Sequence, residues 1–153
     1  MKTGSGQKAA PRYTVGIAGT EAGAFWSGAM RCPKCRADME QVIYEGTEVD
    51  RCSICNGIWF DAGEIELMRD KQAAAAIDTG RASMGKQGNA MHHYQCPRCS
   101  GAMVHVLDAR QRHIGFESCI SCKGSFLDAG ELRDLSTITI ADFFKDLAAP
   151  KRA

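Results

Sequence analysis

The chain contains eight cysteines, and all of them fall into four Cys-x-x-Cys pairs. Two residues between cysteines allow one tight turn to direct both sulfur atoms at the same metal ion. The first two pairs are 16 residues apart and the last two are 19 residues apart. This spacing predicts two metal sites of four thiolates each. The predicted ligands are Cys32, Cys35, Cys52 and Cys55 in the first site and Cys96, Cys99, Cys119 and Cys122 in the second.

The sequence around the cysteines is also repeated. Residues 57–64 read GIWFDAGE after the second pair, and residues 124–131 read GSFLDAGE after the fourth. The repeat divides the 153 residues into two units of about 40 residues each. Units of that size seldom reach stability through apolar burial alone and usually need disulfides or a metal. Metal binding is therefore predicted to stabilise both units.

Reduced thiolates in the cytoplasm fit the sequence better than disulfides. No run approaches the roughly 18 apolar residues that span a membrane, and the stretch from Tyr13 to Trp26 does not resemble a signal peptide. Binding of two divalent ions by eight thiolates changes the formal charge from +1 to about −3. A nucleic-acid binder normally has a basic excess, which the chain as a whole lacks.

Four soft ligands in a tetrahedron favour Zn²⁺, and we expect two zinc ions. Iron in a rubredoxin-like centre also takes four thiolates, and ligand spacing alone does not exclude it. A thioredoxin-like redox motif expects one Cys-x-x-Cys pair, whereas this chain has four. Glycine lies two residues beyond three of the pairs, where we expect it to supply a left-handed turn conformation. Four protein ligands leave no position for water, so both sites are predicted to be structural.

Strand-like patterns between the paired motifs predict one hairpin per unit, at Met39–Arg51 and within 95–118. The three extra residues of the second unit fall near Ala109–Arg112, at the expected hairpin tip. Each Asp-Ala-Gly-Glu run predicts a capping box that begins a helix, the first over Ala62–Ile77. The remaining segments are expected to be a disordered leader (1–29), a flexible linker (78–94) and a tail (136–153) with an amphipathic helix over Ala141–Ala148. The metal-binding units are then 30–77 and 95–135, and Met30 is an alternative start.

With these motifs, residues 32–68 and 96–135 resemble the zinc-ribbon family named for the transcription factor IIB type of finger. The resemblance rests on C-P-x-C, a hairpin, C-x-x-C-x-G, an aromatic residue and D-x-G-E. It implies a small metal-stabilised α+β fold with two tandem zinc ribbons, each a β-hairpin with two cysteine knuckles and a capped helix. The resemblance also implies a zinc-binding protein associated with nucleic acid or transcription.

Several other residues allow two interpretations, one structural and one functional. Trp59 and Phe126 could stack on bases, but packing under the helices is the favoured interpretation. His92 and His93 precede Cys96 without counterparts in the first unit, so they are interpreted as linker residues and not as ligands. The acidic residues of the two capping boxes are interpreted as caps and not as catalytic pairs: Asp61, Glu64, Asp128 and Glu131.

Two binding functions remain open, and no enzymatic activity is expected. The first is contact with nucleic acid or with a protein of the transcription machinery, through basic residues of the second unit: Arg98, Arg110, Arg112 and Lys123. The second is a protein–protein adaptor with structural zinc, which uses the acidic first unit and the face of Phe143, Phe144 and Leu147. Zinc storage or redox buffering is disfavoured because closed four-thiolate sites release metal reluctantly. A membrane partner or a small-molecule substrate is not expected.

Overall fold

The computed structural model describes residues 30–88 and 94–137, together with the backbone of one strand at Tyr13–Val15. The strands are β1 (Tyr13–Val15), β2 (Met39–Tyr44), β3 (Thr47–Cys52), β4 (Ile58–Phe60), β5 (Met103–Leu107), β6 (Gly115–Cys119) and β7 (Ser125–Leu127). The helices are α1 (Glu64–Met68), α2 (Lys71–Ile77), α3 (Ala82–Gly88) and α4 (Glu131–Ser136). None of the helices in the described residues is long and apolar enough to cross a membrane.

All seven strands form one antiparallel sheet in the order β1-β2-β3-β4-β7-β6-β5. Each half of the chain contributes a predicted hairpin and a short third strand that follows the second cysteine pair. We refer to residues 30–77 as ribbon 1 and to residues 95–137 as ribbon 2. The two ribbons pair directly through β4 and β7, so the repeats form one continuous sheet.

An approximate two-fold axis relates the ribbons where they meet. Trp59 pairs with Phe126, and these two residues occupy the same position in the repeated sequence. On either side, Ile58 pairs with Leu127 and Phe60 pairs with Ser125. Equivalent strands therefore meet in antiparallel register, as in a symmetric dimer interface formed within one chain.

The central strands separate two apolar clusters. The helix-face cluster contains Ile58, Phe60 and Leu127 from the central strands together with buried residues of α1, α2 and α4. The knuckle-face cluster contains Trp59 and Phe126 together with cysteines of both metal sites. Because successive strand residues point to opposite faces, the repeated aromatic position faces the knuckles. The prediction that Trp59 and Phe126 pack under the helices was wrong, although both are fully buried.

The single helix predicted over Ala62–Ile77 is interrupted. Helix α1 ends at Met68 and α2 begins at Lys71. Between them the side chain of Asp70 accepts hydrogen bonds from the backbone N–H groups of Gln72 and Ala73, at 2.8 and 3.0 Å. Aspartate is a favourable N-cap residue, so it ends the first helix and starts a second one.

Part of the predicted linker is folded against ribbon 2. Asp78 is buried and accepts hydrogen bonds from the N–H groups of Gly130 (2.9 Å) and Arg133 (3.2 Å) at the start of α4. Helix α3 follows within the same segment, which corrects the expectation of a flexible linker at these positions. In the predicted disordered leader, Tyr13–Val15 pairs with β2 as a strand. His92, His93 and the predicted helix at Ala141–Ala148 lie outside the described residues.

Candidate metal centres

The eight cysteines converge on two places, as their spacing predicted. In each group of four, every sulfur lies within 4.8 Å of the others. Close Sγ–Sγ distances are 3.3 Å (Cys35–Cys52) and 3.6 Å (Cys32–Cys55) in ribbon 1. The corresponding distances in ribbon 2 are both 3.5 Å, for Cys96–Cys122 and Cys99–Cys119.

These distances fit a metal site and not a disulfide. A disulfide requires sulfur atoms about 2 Å apart, and all eight cysteines are free thiols. A zinc tetrahedron with Zn–S bonds of about 2.3 Å has sulfur–sulfur edges of about 3.8 Å. The four sulfur atoms of each ribbon are therefore already arranged as donors for one Zn²⁺, and each group could hold one ion.

The electrostatics of the thiols favours deprotonation of one cysteine in each group. Hydrogen bonds from Cys32 and Cys55 lower the pKa of Cys52 far below its usual range. In ribbon 2, burial opposes ionisation of Cys119, but hydrogen bonds from the backbone N–H groups of Cys122 and Ser121 lower its pKa to about 6. Because zinc binds thiolates, both second knuckles provide a sulfur suited to it.

The knuckle turns explain the residues that follow each cysteine pair. The residue directly after the second cysteine has a positive φ in all four knuckles, at Arg36 (64°), Asn56 (56°), Ser100 (58°) and Lys123 (63°). The left-handed residue is therefore not the glycine, as we had predicted, but its predecessor. The first knuckle of ribbon 1 also adopts this turn, although it has Ala37 at the glycine position.

The glycines of the second knuckles allow the two ribbons to approach each other. A Cβ atom on Gly57 would lie 2.2 Å from Cζ of Phe126, and one on Gly124 would lie 2.3 Å from Cζ2 of Trp59. Each aromatic ring therefore packs on the knuckle glycine of the other ribbon. This reciprocal contact requires glycine at both positions because any side chain would overlap the ring.

Lys34 connects the first metal site to ribbon 2. It lies between Cys32 and Cys35, and its side chain is only 3% exposed. Its ammonium forms an ion pair with Asp128 and lies 3.2 Å from Oε2 of Glu117. Burial opposes its charge, but the hydrogen bond to Asp128 and the attraction of both carboxylates raise the pKa of Lys34 above its usual value. The buried lysine therefore remains charged.

Arg98 makes the equivalent contact from the second metal site to ribbon 1. It lies between Cys96 and Cys99 and binds the carboxylate of Asp61 with two hydrogen bonds, of 3.1 and 2.7 Å. A second acid, Asp50, lies 3.7 Å away. This guanidinium is about 50% exposed. Arg98 was predicted as a nucleic-acid contact, whereas in the structure it joins the two ribbons.

The two Asp-Ala-Gly-Glu runs form only half of the predicted capping boxes. Glu64 and Glu131 accept hydrogen bonds from the backbone N–H groups of Asp61 (2.8 Å) and Asp128 (2.7 Å), as a capping box requires. The aspartate side chains do not cap their helices, which begin after left-handed Gly63 and Gly130. Both aspartates bind the basic knuckle residue of the other ribbon instead. A basic residue and an aspartate repeated at fixed positions were the sequence signal for this contact.

The tip of the second hairpin also contacts ribbon 1. Arg69, which follows α1, forms an ion pair of 2.5 Å with buried Asp108, and Arg110 pairs at 3.1 Å with Glu66 on α1. Buried Gln111 donates a hydrogen bond to the carbonyl of Leu135 at 2.9 Å. The tip of the second hairpin therefore rests on elements of both ribbons.

Four residues were predicted to contact nucleic acid. Two of them have exposed charges that form no ion pair with an acidic residue in the described part of the chain. Arg112 is exposed at the hairpin tip, and Lys123 is exposed after the last cysteine, where its ammonium donates to the carbonyl of Ile120 at 2.7 Å. These two side chains belong to different ends of the second hairpin. The structure therefore does not gather the four basic residues into one positive surface.

Comparison with protein families gives one match. A family model described as transcription factor zinc-finger, a zinc ribbon of the TFIIB type, matches residues 31–68 and 95–137. The two matched segments contain the two metal sites and together span just over half of the chain. Comparison with curated proteins and with solved structures finds no significant match.

Proposed function

The chain belongs to the transcription factor zinc-finger family, and from that premise we propose that it is a non-enzymatic, zinc-stabilised module that binds an extended segment of another protein. Four thiolates complete the coordination of zinc and leave no position for a substrate. The metal thus supports the sheet, and binding falls to the surface of the ribbons. Because free thiols persist in reducing compartments, we place this activity in the cytoplasm.

The observation that carries this proposal is the edge of the sheet at β5, which no strand in the described part of the chain covers. Val104 and Leu107 are each 45% exposed, and no Lys, Arg, Asp or Glu occurs between Met103 and Leu107. Edge strands normally carry charges or proline, or are covered, because their unpaired backbone groups attract other strands. Among the described residues, Met103 at the start of β5 donates to the carbonyl of Tyr94 (3.4 Å), and no strand pairs with the outer side of β5 beyond that point. This edge has the properties of a strand-addition site.

The opposite edge of the same sheet indicates what such a site accepts. In ribbon 1 the equivalent strand, β2, pairs with Tyr13–Val15 in antiparallel register along Val42–Tyr44. That segment is short, extended and contains β-branched residues. Because the two-fold axis relates β2 to β5, we expect the strand that pairs with β5 to be short, antiparallel and uncharged, like Tyr13–Val15. The family description makes proteins of the transcription machinery the first partners to examine.

A titration with a model peptide tests the proposal. The probe is a synthetic peptide of residues 10–18 of this chain, which contains the strand that pairs with β2. The N–H of Asp108 bonds to the carbonyl of Ile114, so alternation along the pair directs the N–H groups of His105 and Leu107 outward. We expect NMR shifts at these two amides when the peptide is added to the zinc-loaded chain.

A matched pair of variants identifies the edge. His105→Pro removes one outward N–H group, whereas His105→Thr removes the same side chain and keeps that group. Peptide binding at β5 should disappear in the first variant and persist in the second. Shifts confined to β2, or equal effects of the two variants, would contradict strand addition at β5.

Nucleic-acid binding is the second candidate, favoured by the family description and by exposed Arg112 and Lys123. Against it, the charges of Arg98 and Arg110 are paired with carboxylates of ribbon 1. Affinity for DNA and RNA measured against salt concentration discriminates the two functions. If Arg112 and Lys123 both contact phosphates, the Arg112→Ala/Lys123→Ala variant should reduce the salt slope by about 2. Lys71→Ala, an exposed change on α2, should leave the slope unchanged.

A further inference from the structure

Each metal site is held partly by the ribbon that it does not belong to. Lys34 and Arg98 both lie inside the first Cys-x-x-Cys turn of their own ribbon, one residue before the second cysteine. Their charged groups bind acids of the other ribbon. A turn that is closed by metal holds its backbone in place, and the turn loses that constraint without metal. The position of each basic group therefore depends on the occupancy of its own site.

Loss of metal from the first site destabilises ribbon 2. Lys34 provides the cation for Asp128 and Glu117, and both acids are buried. If the first knuckle opens, these two carboxylates remain without that cation in a poorly solvated environment. A buried charge that loses its partner is strongly destabilising. Glu117 lies on β6 and Asp128 precedes α4, so the cost falls on the strand and the helix that support the second site.

The apolar contacts between the ribbons also couple the two metal sites. The ring of Phe126 rests on Gly57, which is two residues beyond the last ligand of the first site, and the ring of Trp59 rests on Gly124 beyond the last ligand of the second. Both rings belong to the knuckle-face cluster, which includes Cys32, Cys52, Cys96 and Cys119. Displacement of one knuckle therefore removes packing from the other ribbon as well.

From these contacts we propose that the two sites bind zinc as a pair, and that Lys34 is the positioning residue that contributes most to their coupling. The coupling is a free energy between two sites and acts equally in both directions. It follows that a chain with one zinc ion is less populated than independent binding predicts. Arg98 contributes less because its ion pair with Asp61 is about half-exposed and solvent screens it.

Native mass spectrometry of the full chain at one zinc ion per protein, equilibrated in a metal buffer, tests the proposal. Two equal and independent sites give about half of the molecules with one ion, and unequal sites give more. A tenfold coupling lowers this fraction to about a quarter. We expect a quarter or less for the wild type. One half or more would overturn paired binding.

The assignment to Lys34 is tested by a matched control in the same knuckle. Lys34→Met should raise the one-zinc fraction towards one half, whereas Arg36→Met removes an exposed charge that forms no ion pair with the described residues of ribbon 2 and should leave the fraction low. Asp128→Asn breaks the same ion pair from ribbon 2 and should act like Lys34→Met. Asp128→Asn also tests the role of this ion pair if Lys34→Met does not fold with zinc. Equal fractions in Asp128→Asn, Arg36→Met and the wild type would overturn the assignment to this ion pair.

Discussion

Ribbons 1 and 2 make the same contact with each other in two different environments. Lys34 of ribbon 1 meets Asp128 with both side chains at 4% exposure or less, whereas Arg98 of ribbon 2 meets Asp61 with both side chains about half-exposed. Burial raises the pKa of Asp128, while the hydrogen bond from Arg98 lowers the pKa of Asp61. The same pair of repeated positions, a basic residue and an aspartate, therefore forms a buried ion pair in one case and a surface ion pair in the other.

The difference shows how a duplicated unit can specialise without changing its fold. A buried ion pair adds little net stability compared with apolar packing, but removal of one partner is costly. An exposed pair adds little and can be lost at little cost. The contact from ribbon 1 to ribbon 2 therefore enforces the arrangement of the two ribbons. The ion pair between Arg98 of ribbon 2 and Asp61 of ribbon 1 contributes less to that arrangement.

The largest expected effect is the difference between two aspartate substitutions. Asp128→Asn removes the charge that faces buried Lys34 and should lower the free energy of unfolding by about 3–5 kcal/mol. Asp61→Asn removes the charge that faces exposed Arg98 and should lower it by about 0–1 kcal/mol. Asparagine retains an oxygen that can accept from Nε1 of Trp59, which lies 3.0 Å from Asp61. Denaturant unfolding of the zinc-saturated proteins measures both values.

Comparable losses from the two aspartate variants would show that burial does not distinguish the ion pairs. The double variant Lys34→Met/Asp128→Asn provides the internal control. If the loss in Asp128→Asn arises from an unpaired lysine, the double variant should recover part of it. The fit of the unfolding curves must keep the same slope, so that the comparison reflects stability.

The metal sites could be predicted almost completely from the sequence because ligand spacing is a local property. Two residues between cysteines and one hairpin between pairs determine where eight sulfur atoms go, and the family match and the sulfur geometry agree with that prediction. The hairpins and the start of a helix after each Asp-Ala-Gly-Glu run were also indicated by local patterns, although the first helix was predicted as one continuous helix over Ala62–Ile77. The break between α1 and α2 was missed because the capping tendency of Asp70 competes with continuous helix periodicity.

The contact between the ribbons could not be predicted because it depends on long-range pairing. Trp59 and Phe126 are both next to residues that face the helices, and only the strand register decides which face an aromatic residue occupies. In the same way, Asp128 looks like a helix cap until Lys34, 94 residues away in the chain, is brought beside it. Repetition of both residue types in both units was a signal, but it did not identify the partner.

A glycine substitution tests the symmetric part of the interface. Gly57→Ala and Gly124→Ala place a methyl group against the opposing rings of Phe126 and Trp59. Each change should lower the free energy of unfolding by about 1–3 kcal/mol, through overpacking. The two losses should be similar because the contact is reciprocal, in contrast to the unequal ion pairs. Thermal or denaturant unfolding with saturating zinc provides the measurement.

Gly101→Ala is the matched control for these substitutions. Its methyl group would meet the hydroxyl of Ser121, a side chain that can move, and ribbon 1 already has Ala37 at the equivalent position. We therefore expect a small effect. If Gly57→Ala is no more damaging than Gly101→Ala, the rings do not require close approach to the knuckle glycines.

The smallest expected effect concerns the two capping glutamates at alkaline pH. Burial, together with the charge of Asp128, raises the pKa of Glu131 from 4.5 to about 8, and nearby Glu117 opposes its ionisation while Lys34 favours it. Between these pH values the folded state binds more protons than the unfolded state, so this group lowers stability as pH rises through the window. The pKa of Glu64 is also raised by burial, but this side chain lies in a less buried cap.

Glu131→Gln should therefore be more stable than the wild type at pH 8, and this advantage should shrink by about 2 kcal/mol as pH falls from 8 to 6. Glutamine is neutral throughout and keeps an oxygen for the N–H of Asp128. Glu64→Gln should show the same trend with a smaller amplitude. Unfolding of each variant and the wild type at matched pH cancels the effect of cysteine protonation on zinc binding. A difference that grows as pH falls would reverse the sign and would show that Glu131 is stabilised as a carboxylate, despite its burial beside Asp128.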